Sequence, residues 1–236
     1  MEGKRACPED HPLSLGSGGR ANSRPVKRYL EESDLILGLG VSFALTAFGV
    51  PMPPGKKIIH ATLDPMDLSK DVPADIGLIG DAKLTLAALN SELSNADNSK
   101  AAARANEPEK INELKEEWLQ EWLPKLTNNE APINPYRVVA ELNQLVDKEK
   151  VVITHDAGSP RDQITPFWES TAPLSYIGWG KTTQLGYGLG LAMGAKLAKP
   201  EKLCINVWGD AAIGFTGMDF ETAVRENIPI LSILFN

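Results

Sequence analysis

The sequence has few of the residues that staple a chain or anchor it. It contains two cysteines, Cys7 and Cys204, far apart in the chain. Two such residues build no disulfide framework and match no zinc spacing. Cys204 falls inside an apolar run and reads as a core residue. No apolar run approaches the ~18 residues of a membrane-spanning helix. The opening residues, MEGKRACPEDHPLSLG, lack the apolar segment of a secretory signal. Basic residues are outnumbered, 24 Lys and Arg against 31 Asp and Glu, for a net charge of −7. That balance argues against a nucleic-acid surface. These absences lead us to expect a cytoplasmic protein that uses neither a membrane nor nucleic acid as partner. What is present is 236 residues, 42% apolar, enough for one large or two small domains with real cores.

In chain order, residues 8–19 (PEDHPLSLGSGG) read as a loop. Arg24 to Glu32 reads as a helix with Val26, Tyr29 and Leu30 on its apolar face. Strands are expected at Leu35–Leu39, Lys57–Leu63 and Ile76–Ile79, followed by a helix over Ala82–Leu93. Asp64 and Asp81 close two of those strands. Residues 94–100 (SNADNSK) mark a boundary. Ala101–Leu126 reads as a charged helix whose stripe of Ile111, Leu114, Trp118 and Trp122 packs on a neighbouring domain. Asn134-Pro135 is a cap for a helix over Tyr136–Val146. A strand over Val151–Thr154 leads into HDAGS, and Ser175–Ile177 reads as a further short strand. Gln184–Leu197 reads as a helix carrying Gly188, Gly190 and Gly194, with Gly186 near its start. Glycine inside a helix costs about 1 kcal/mol against alanine, so either a close neighbour or a ligand demands it, or the helix packs tightly on a sheet. The alternation of strands and helices predicts an α/β fold with parallel sheets.

Two stretches carry candidate chemistry. The first, SYIGWGKT at Ser175–Thr182, approaches the phosphate-loop pattern G-x-x-x-x-G-K-[ST]. Its first glycine is replaced by Ser175, and a helix and a strand precede it, so we treat it as a decoy. The second is Leu203–Asn236. It reads as a strand to Trp208, a Gly209-Asp210 turn, a small-residue loop over Ala211–Gly217, a helix over Met218–Asn227 with Phe220, Ala223 and Val224 inward, and a strand ending at Asn236. The carboxylate of Asp210 and the amide of Asn236 would meet at one edge of a parallel sheet, where ligands of open α/β sheets bind. A divalent cation with a phosphate suits those groups. His60 and His155 read as structural, and Glu221 as paired with Arg225 at i+4.

The stretch GDAAIGFTGMDFETAVRENIPILSILFN resembles the thiamine diphosphate signature, GDG followed about two dozen residues later by NN. PEDHPLSLG, SDLILGLGVSF, KIIHATLDPMDLSKDVPADIGLIGDAKLTLAAL, ITHDAGSP and QLGYGLGLAMGAKLA resemble, in the same order, segments of acetolactate synthase-like enzymes of that family. The resemblance spans nearly the whole chain. It implies two parallel-sheet, three-layer units: a partial Rossmann-like central domain at 1–95, a helical linker at 96–131, and a truncated diphosphate-binding domain at 132–236.

By the same resemblance, Asp210 and Asn236 are metal ligands for Mg2+, and Gly158, Ser159, Leu185, Gly209, Asp210, Ala211, Ala212 and Asn236 bind the cofactor. Leu185 stands where the family has the apolar residue that props the cofactor in its bent form. The implied chemistry is decarboxylation or carboligation of a 2-keto acid substrate in a homodimer or homotetramer. An oxalyl-CoA decarboxylase-like lyase is the alternative within the class. FAD or an adenine nucleotide, which some relatives bind in the central domain, would meet Asp64 and Asp81. Three departures limit the match. GDG is GDA here, which asks for a negative φ at Ala211. Asn236 aligns with the first Asn of the pair, whereas the family's metal ligand is the second. The family's N-terminal domain, with its activating Glu, has no counterpart here. The expectation is therefore a fragment that does not turn over substrate alone, or else a non-catalytic fragment with a degraded site.

Overall fold

Short runs rich in Ile, Val and Leu become parallel strands, and in the sheet of the C-terminal part helices connect them. The computed structural model describes residues 2–17, 22–45, 51–96, 104–178 and 184–236. The chain forms two compact units, Lys27–Lys110 on the one hand and Met1–Val26 with Ile111–Asn236 on the other. Helices α1 (Arg24–Glu32) and α3 (Glu107–Leu126) run across the two borders between them.

The unit of residues 27–110 holds strands β1 (Leu35–Leu39), β2 (Lys57–Thr62) and β3 (Ile76–Ile79), in that order and parallel. Asp75 pins β2 by accepting from the Ile58 N–H at 2.7 Å. Helix α2 (Ala82–Ser94) follows, capped by Asp81, whose carboxylate accepts from the N–H groups of Lys83 and Leu84. Asp64 accepts from the Met66 N–H at 2.9 Å. Both strand-end carboxylates are thus engaged in local caps. His60 is fully buried, with Nε2 at 2.5 Å from the Val41 carbonyl and its ring edge-on to Phe43. Gly38 makes room for that Phe43 ring, because a Cβ there would lie 2.4 Å from it. His60 is a packing residue, as expected. No residue of α2 is buried.

The other unit has a second parallel sheet: β4 (Val151–His155), β5 (Tyr176–Ile177), β6 (Leu203–Gly209) and β7 (Leu231–Phe235), in the spatial order β5-β4-β6-β7. Every residue of β4 is buried, as is Cys204–Trp208 of β6. A strand buried on both faces needs a layer on each side. On one face, Val139 and Leu142 of α4 (Pro135–Leu145) and Ile164 of α5 (Ser159–Ile164) pack on Val151, Ile153, Ile205 and Val207. On the other, Ala195 and Leu189 of α6 (Tyr187–Ala198) pack with Val152, Cys204 and Trp208. Helices α7 (Asp210–Thr216) and α8 (Asp219–Arg225) complete that layer, with Ala212 and Phe220 beside Trp208.

Caps and aromatics fix the approach to this sheet. Asn134 caps α4 by accepting from the Tyr136 N–H at 3.1 Å. Trp118 of α3 stacks on Phe167 at 4.8 Å, and Trp122 meets Tyr136 at 4.9 Å. The apolar stripe of α3 therefore faces the layer that carries α4. The N-terminal segment joins the same unit through Glu9, whose N–H donates to the Ser170 carbonyl and whose carboxylate accepts from the Ser170 N–H.

Two expectations are corrected. The stretch expected as a loop over Ala211–Gly217 forms helix α7 (Asp210–Thr216), with Gly217 just past its end. Asp210, Ala211 and Ala212 favour helix strongly enough to outweigh Gly214. Between β4 and α5 the chain turns through Asp156–Gly158, and Pro160 sits in the first turn of α5, where a missing N–H costs nothing. Val224 is 81% exposed, so only Phe220 and Ala223 of the expected trio turn inward.

Candidate functional site

The sheet register brings the two candidate metal ligands together. Gly209 of β6 pairs with Phe235 of β7, so Asp210 and Asn236 each stand one residue past the same rung of a parallel ladder. The strand order adds a second argument. From β4 the chain passes to β5 on one side, then returns to β6 on the other. The carboxyl ends of β4 and β6 therefore flank a topological switch point, where open α/β sheets hold ligands.

A cavity of about 450 Å³ lies there, lined by all eight residues singled out from the sequence: Gly158, Ser159, Leu185, Gly209, Asp210, Ala211, Ala212 and Asn236. Two helices begin at it. Gly158 precedes α5 with φ +83, a backbone only glycine adopts readily. Gly209 precedes α7 in extended conformation. Neither helix start has a side-chain cap, so their first N–H groups are open to an acceptor. Such groups suit phosphate oxygens. Ala211 lies in α7, outside the positive-φ residues, so the backbone accommodates alanine in the GDA sequence without strain.

The charges lining this cavity are sparse. Asp210 is its one ionisable side chain among the described residues, and no Lys or Arg lines it. A diphosphate here would need a cation beside Asp210 to balance it. No cluster of three His, Cys, Asp or Glu residues occurs among the described residues. Gln163 also lines the cavity, and its buried Oε1 has no partner.

Sequence reasoning missed Asp156. It is fully buried just past β4. Its carboxylate accepts from the N–H groups of Ala157 at 2.8 Å, Gly186 at 3.0 Å and Gly188 at 3.0 Å. It thereby ties the Gly158–Ser159 turn to the start of α6, and with it Leu185, which packs on Leu189, Trp208 and Ala212. Thr216 at the end of α7 donates to the Gly186 carbonyl at 2.7 Å and closes the ring. An acidic residue directly after an apolar strand was the available signal, the same one that singled out Asp210.

The glycines of α6 divide in two. A Cβ on Gly188 would lie 2.5 Å from the Asn206 side chain and 3.1 Å from the Asp156 carboxylate, while Gly190 and Gly194 have open space. Close approach explains Gly188 alone. His155 is buried, and burial pushes its pKa down to about 4. It is absent from the cavity lining, in keeping with a structural role. Glu221 pairs with Arg225 at 3.1 Å on the surface. In the phosphate-loop look-alike, Trp179–Thr182 lie outside the described residues.

Comparison with known proteins decides the family. Residues 1–89 match the thiamine pyrophosphate enzyme central domain, and residues 156–236 match the C-terminal TPP binding domain of the same enzymes. The chain belongs to the thiamine pyrophosphate enzyme family. Within that family it is similar along its whole length to acetolactate synthase large subunits. Identity is 29% over 248 residues to a probable large subunit of Methanococcus aeolicus, covering all of this chain and 41% of the relative. It is 30% over 243 residues to that of Methanocaldococcus jannaschii, covering 40% of the relative. It is 27% over 244 residues to acetolactate synthase isozyme 3 large subunit of Escherichia coli, covering 41%. The chain thus spans about two fifths of the length of these relatives. The match over residues 156–236 includes every cavity-lining residue but Pro135, and the phosphate-loop look-alike. No helix among the described residues is long and apolar enough to cross a membrane.

Proposed function

We propose that the chain supplies the diphosphate- and Mg2+-binding half of an acetolactate synthase-like enzyme acting on 2-keto acids. The observation that carries this reading is the cavity at the switch point, lined by two uncapped helix starts, one carboxylate and the amides of Asn236 and Gln163. In the proposed roles, Asp210 and the Asn236 amide oxygen hold the cation. The N–H groups at the starts of α5 and α7, around Ser159, Ala211 and Ala212, bind phosphate oxygens. Gly158 and Gly209 let the backbone enter each turn. Leu185 presents an apolar side chain to the rest of the cofactor, held there by Asp156. When bound, thiamine diphosphate supplies the electron sink for loss of CO2 from a 2-keto acid and ligation to a second carbonyl. The proposal also takes the domains as 1–95, 96–131 and 132–236, the assembly as a homodimer or homotetramer, and the compartment as cytoplasmic. It includes no flavin or adenine nucleotide, since Asp64 and Asp81 are engaged in caps.

The test is calorimetric. Thiamine diphosphate is titrated into the protein with Mg2+ and again with EDTA. Saturable binding is expected only with the cation, with a matching rise in unfolding temperature, worth about 2.7 kcal/mol at a hundredfold excess over Kd. Asp210→Ala should abolish the Mg2+-dependent part and leave the fold intact. Unchanged affinity in that variant would reduce Asp210 to a helix-start residue and sink the metal assignment. Turnover of oxalyl-CoA in preference to a 2-keto acid would move the substrate assignment to the lyase branch.

A further inference from the structure

Leu185 has no polar side-chain group to anchor it, so its place at the cofactor cavity depends on the backbone beside it. That backbone is Gly186, which is held from two sides. Its N–H donates to the Asp156 carboxylate, at 3.0 Å to Oδ1 and 3.1 Å to Oδ2. Its carbonyl accepts from the Thr216 hydroxyl at 2.7 Å. The end of α7 presses closely on this point: a Cβ on Gly186 would lie 2.8 Å from the Phe215 Cβ and 3.0 Å from the Thr216 Cγ2. Asp156 also binds the N–H groups of Ala157 and Gly188, so it serves the whole turn. The Thr216 hydroxyl touches the turn through one bond.

Thr216 is absent from the cavity lining. What it adds is a link. α7 begins at Asp210 and ends at Thr216, about 10 Å along its axis at ~1.5 Å per residue. Its first residues, Asp210, Ala211 and Ala212, line the cavity, and its last grips the residue next to Leu185. The helix is a strut from the carboxylate end of the cavity to its apolar wall. We propose that Thr216 is a positioning residue: through Gly186, its hydroxyl sets where Leu185 meets the cofactor. The inference rests on the reading of this cavity as a thiamine diphosphate and Mg2+ site.

Calorimetry with Mg2+ present compares two ligands. In the proposed reading thiamine diphosphate reaches both ends of the strut, whereas inorganic diphosphate occupies the cation end alone. Thr216→Val keeps the shape of the side chain and removes its donor. It should weaken thiamine diphosphate about fivefold, the worth of one hydrogen bond, and leave inorganic diphosphate unchanged. Thr216→Ser should restore the parent affinity. Leu185→Ala should show the same split between ligands. Adding Thr216→Val to it should then weaken thiamine diphosphate no further, because the residue being positioned is gone. A merely structural role would weaken both ligands together or neither. Parent affinity for thiamine diphosphate in Thr216→Val, equal weakening of both ligands, or a full fivefold loss on the Leu185→Ala background overturns the proposal and leaves the cofactor reading standing. Should inorganic diphosphate bind too weakly to titrate, the cycle with Leu185→Ala decides. A parent protein that binds neither ligand brings down the cofactor reading and this proposal with it.

Discussion

Gly188 and Gly190 sit two residues apart in α6, yet the same substitution should act on them in opposite directions. Replacing Gly190 with alanine adds a methyl group where nothing lies within 4 Å and removes a glycine from a helix interior. The expected gain is about 0.8–1 kcal/mol. At Gly188 the same helix gain is available. There, however, the new Cβ lies 2.5 Å from the Asn206 side-chain oxygen and 3.1 Å from the backbone carbon of His155. Asn206 is fully buried, and its oxygen accepts from the Thr154 hydroxyl at 3.2 Å. It cannot yield without breaking that bond, and the backbone behind it yields less. Overpacking costs about 1–3 kcal/mol, and an unsatisfied buried polar group costs about 1–3 more. The net is a loss of about 1–5 kcal/mol. All five tryptophans lie between residues 111 and 236, so their fluorescence in urea follows the unit that contains α6. At a slope of ~2 kcal/mol per molar, Gly188→Ala should lower the midpoint by about 0.5–2.5 M. Gly190→Ala should raise it by about 0.4–0.5 M. A Gly188→Ala protein as stable as the parent would refute the close-approach account. A destabilised Gly190→Ala would mean that the open side of α6 is in use.

The other predictions concern groups beside the same edge. Asp156→Ala strips the acceptor from three buried N–H groups and should cost about 3 kcal/mol or more in the same urea assay; a change under about 0.5 kcal/mol would show that the start of α6 holds without it. His155 is kept neutral by burial, with its pKa lowered from 6.5 to about 4. A lowered pKa means that the unfolded chain takes up the proton first, so stability is complete above about pH 6.5 and falls as the pH drops towards 4. The loss is on the order of 3 kcal/mol. His155→Gln should flatten that pH dependence of the midpoint, and an unchanged slope would assign it to other groups.

How much of this was legible depends on how local each cause is. α1, β1 and β3 occupy the expected residues, because apolar spacing and flanking turn residues are written within a few positions. Asn134 and Pro135 announce α4 in the same way. α7 was misread because Gly214 and Gly217 look like a loop. It is held as a helix partly by Ala212 packing among Leu189 and Trp208, residues that no local window contains. Asp156 was missed for a related reason. Its partners at Gly186 and Gly188 are thirty and thirty-two residues away, and only the fold makes them neighbours. The eight cavity residues were accessible through the family resemblance, whose segments follow one another along the chain; seven of them also sit at strand ends or helix starts, while Leu185 lies just before α6. Pro135, which the sequence marks only as the start of α4, and Gln163 of α5 line the same cavity, and neither belongs to the segments that carry the resemblance.

The sparse charge of the cofactor cavity bears on what the proposed site demands. Helix starts contribute partial charge only, about half a unit each, and both helices here are short. With Asp210 the one ionisable side chain lining the cavity among the described residues, a diphosphate arriving without a cation would meet a carboxylate of its own sign. A site lined by Lys or Arg could bind phosphate first and metal second. This one has to bind the two together, because each neutralises what the other would repel. Under the proposed reading, Asp210→Ala therefore removes two opposed effects, the grip on the cation and the repulsion of the phosphate. Weak cation-independent binding of thiamine diphosphate should emerge in that variant even as the Mg2+-dependent binding disappears. Calorimetry in EDTA reads that residue of affinity directly. Its complete absence in Asp210→Ala would show that the helix starts alone cannot hold the phosphates.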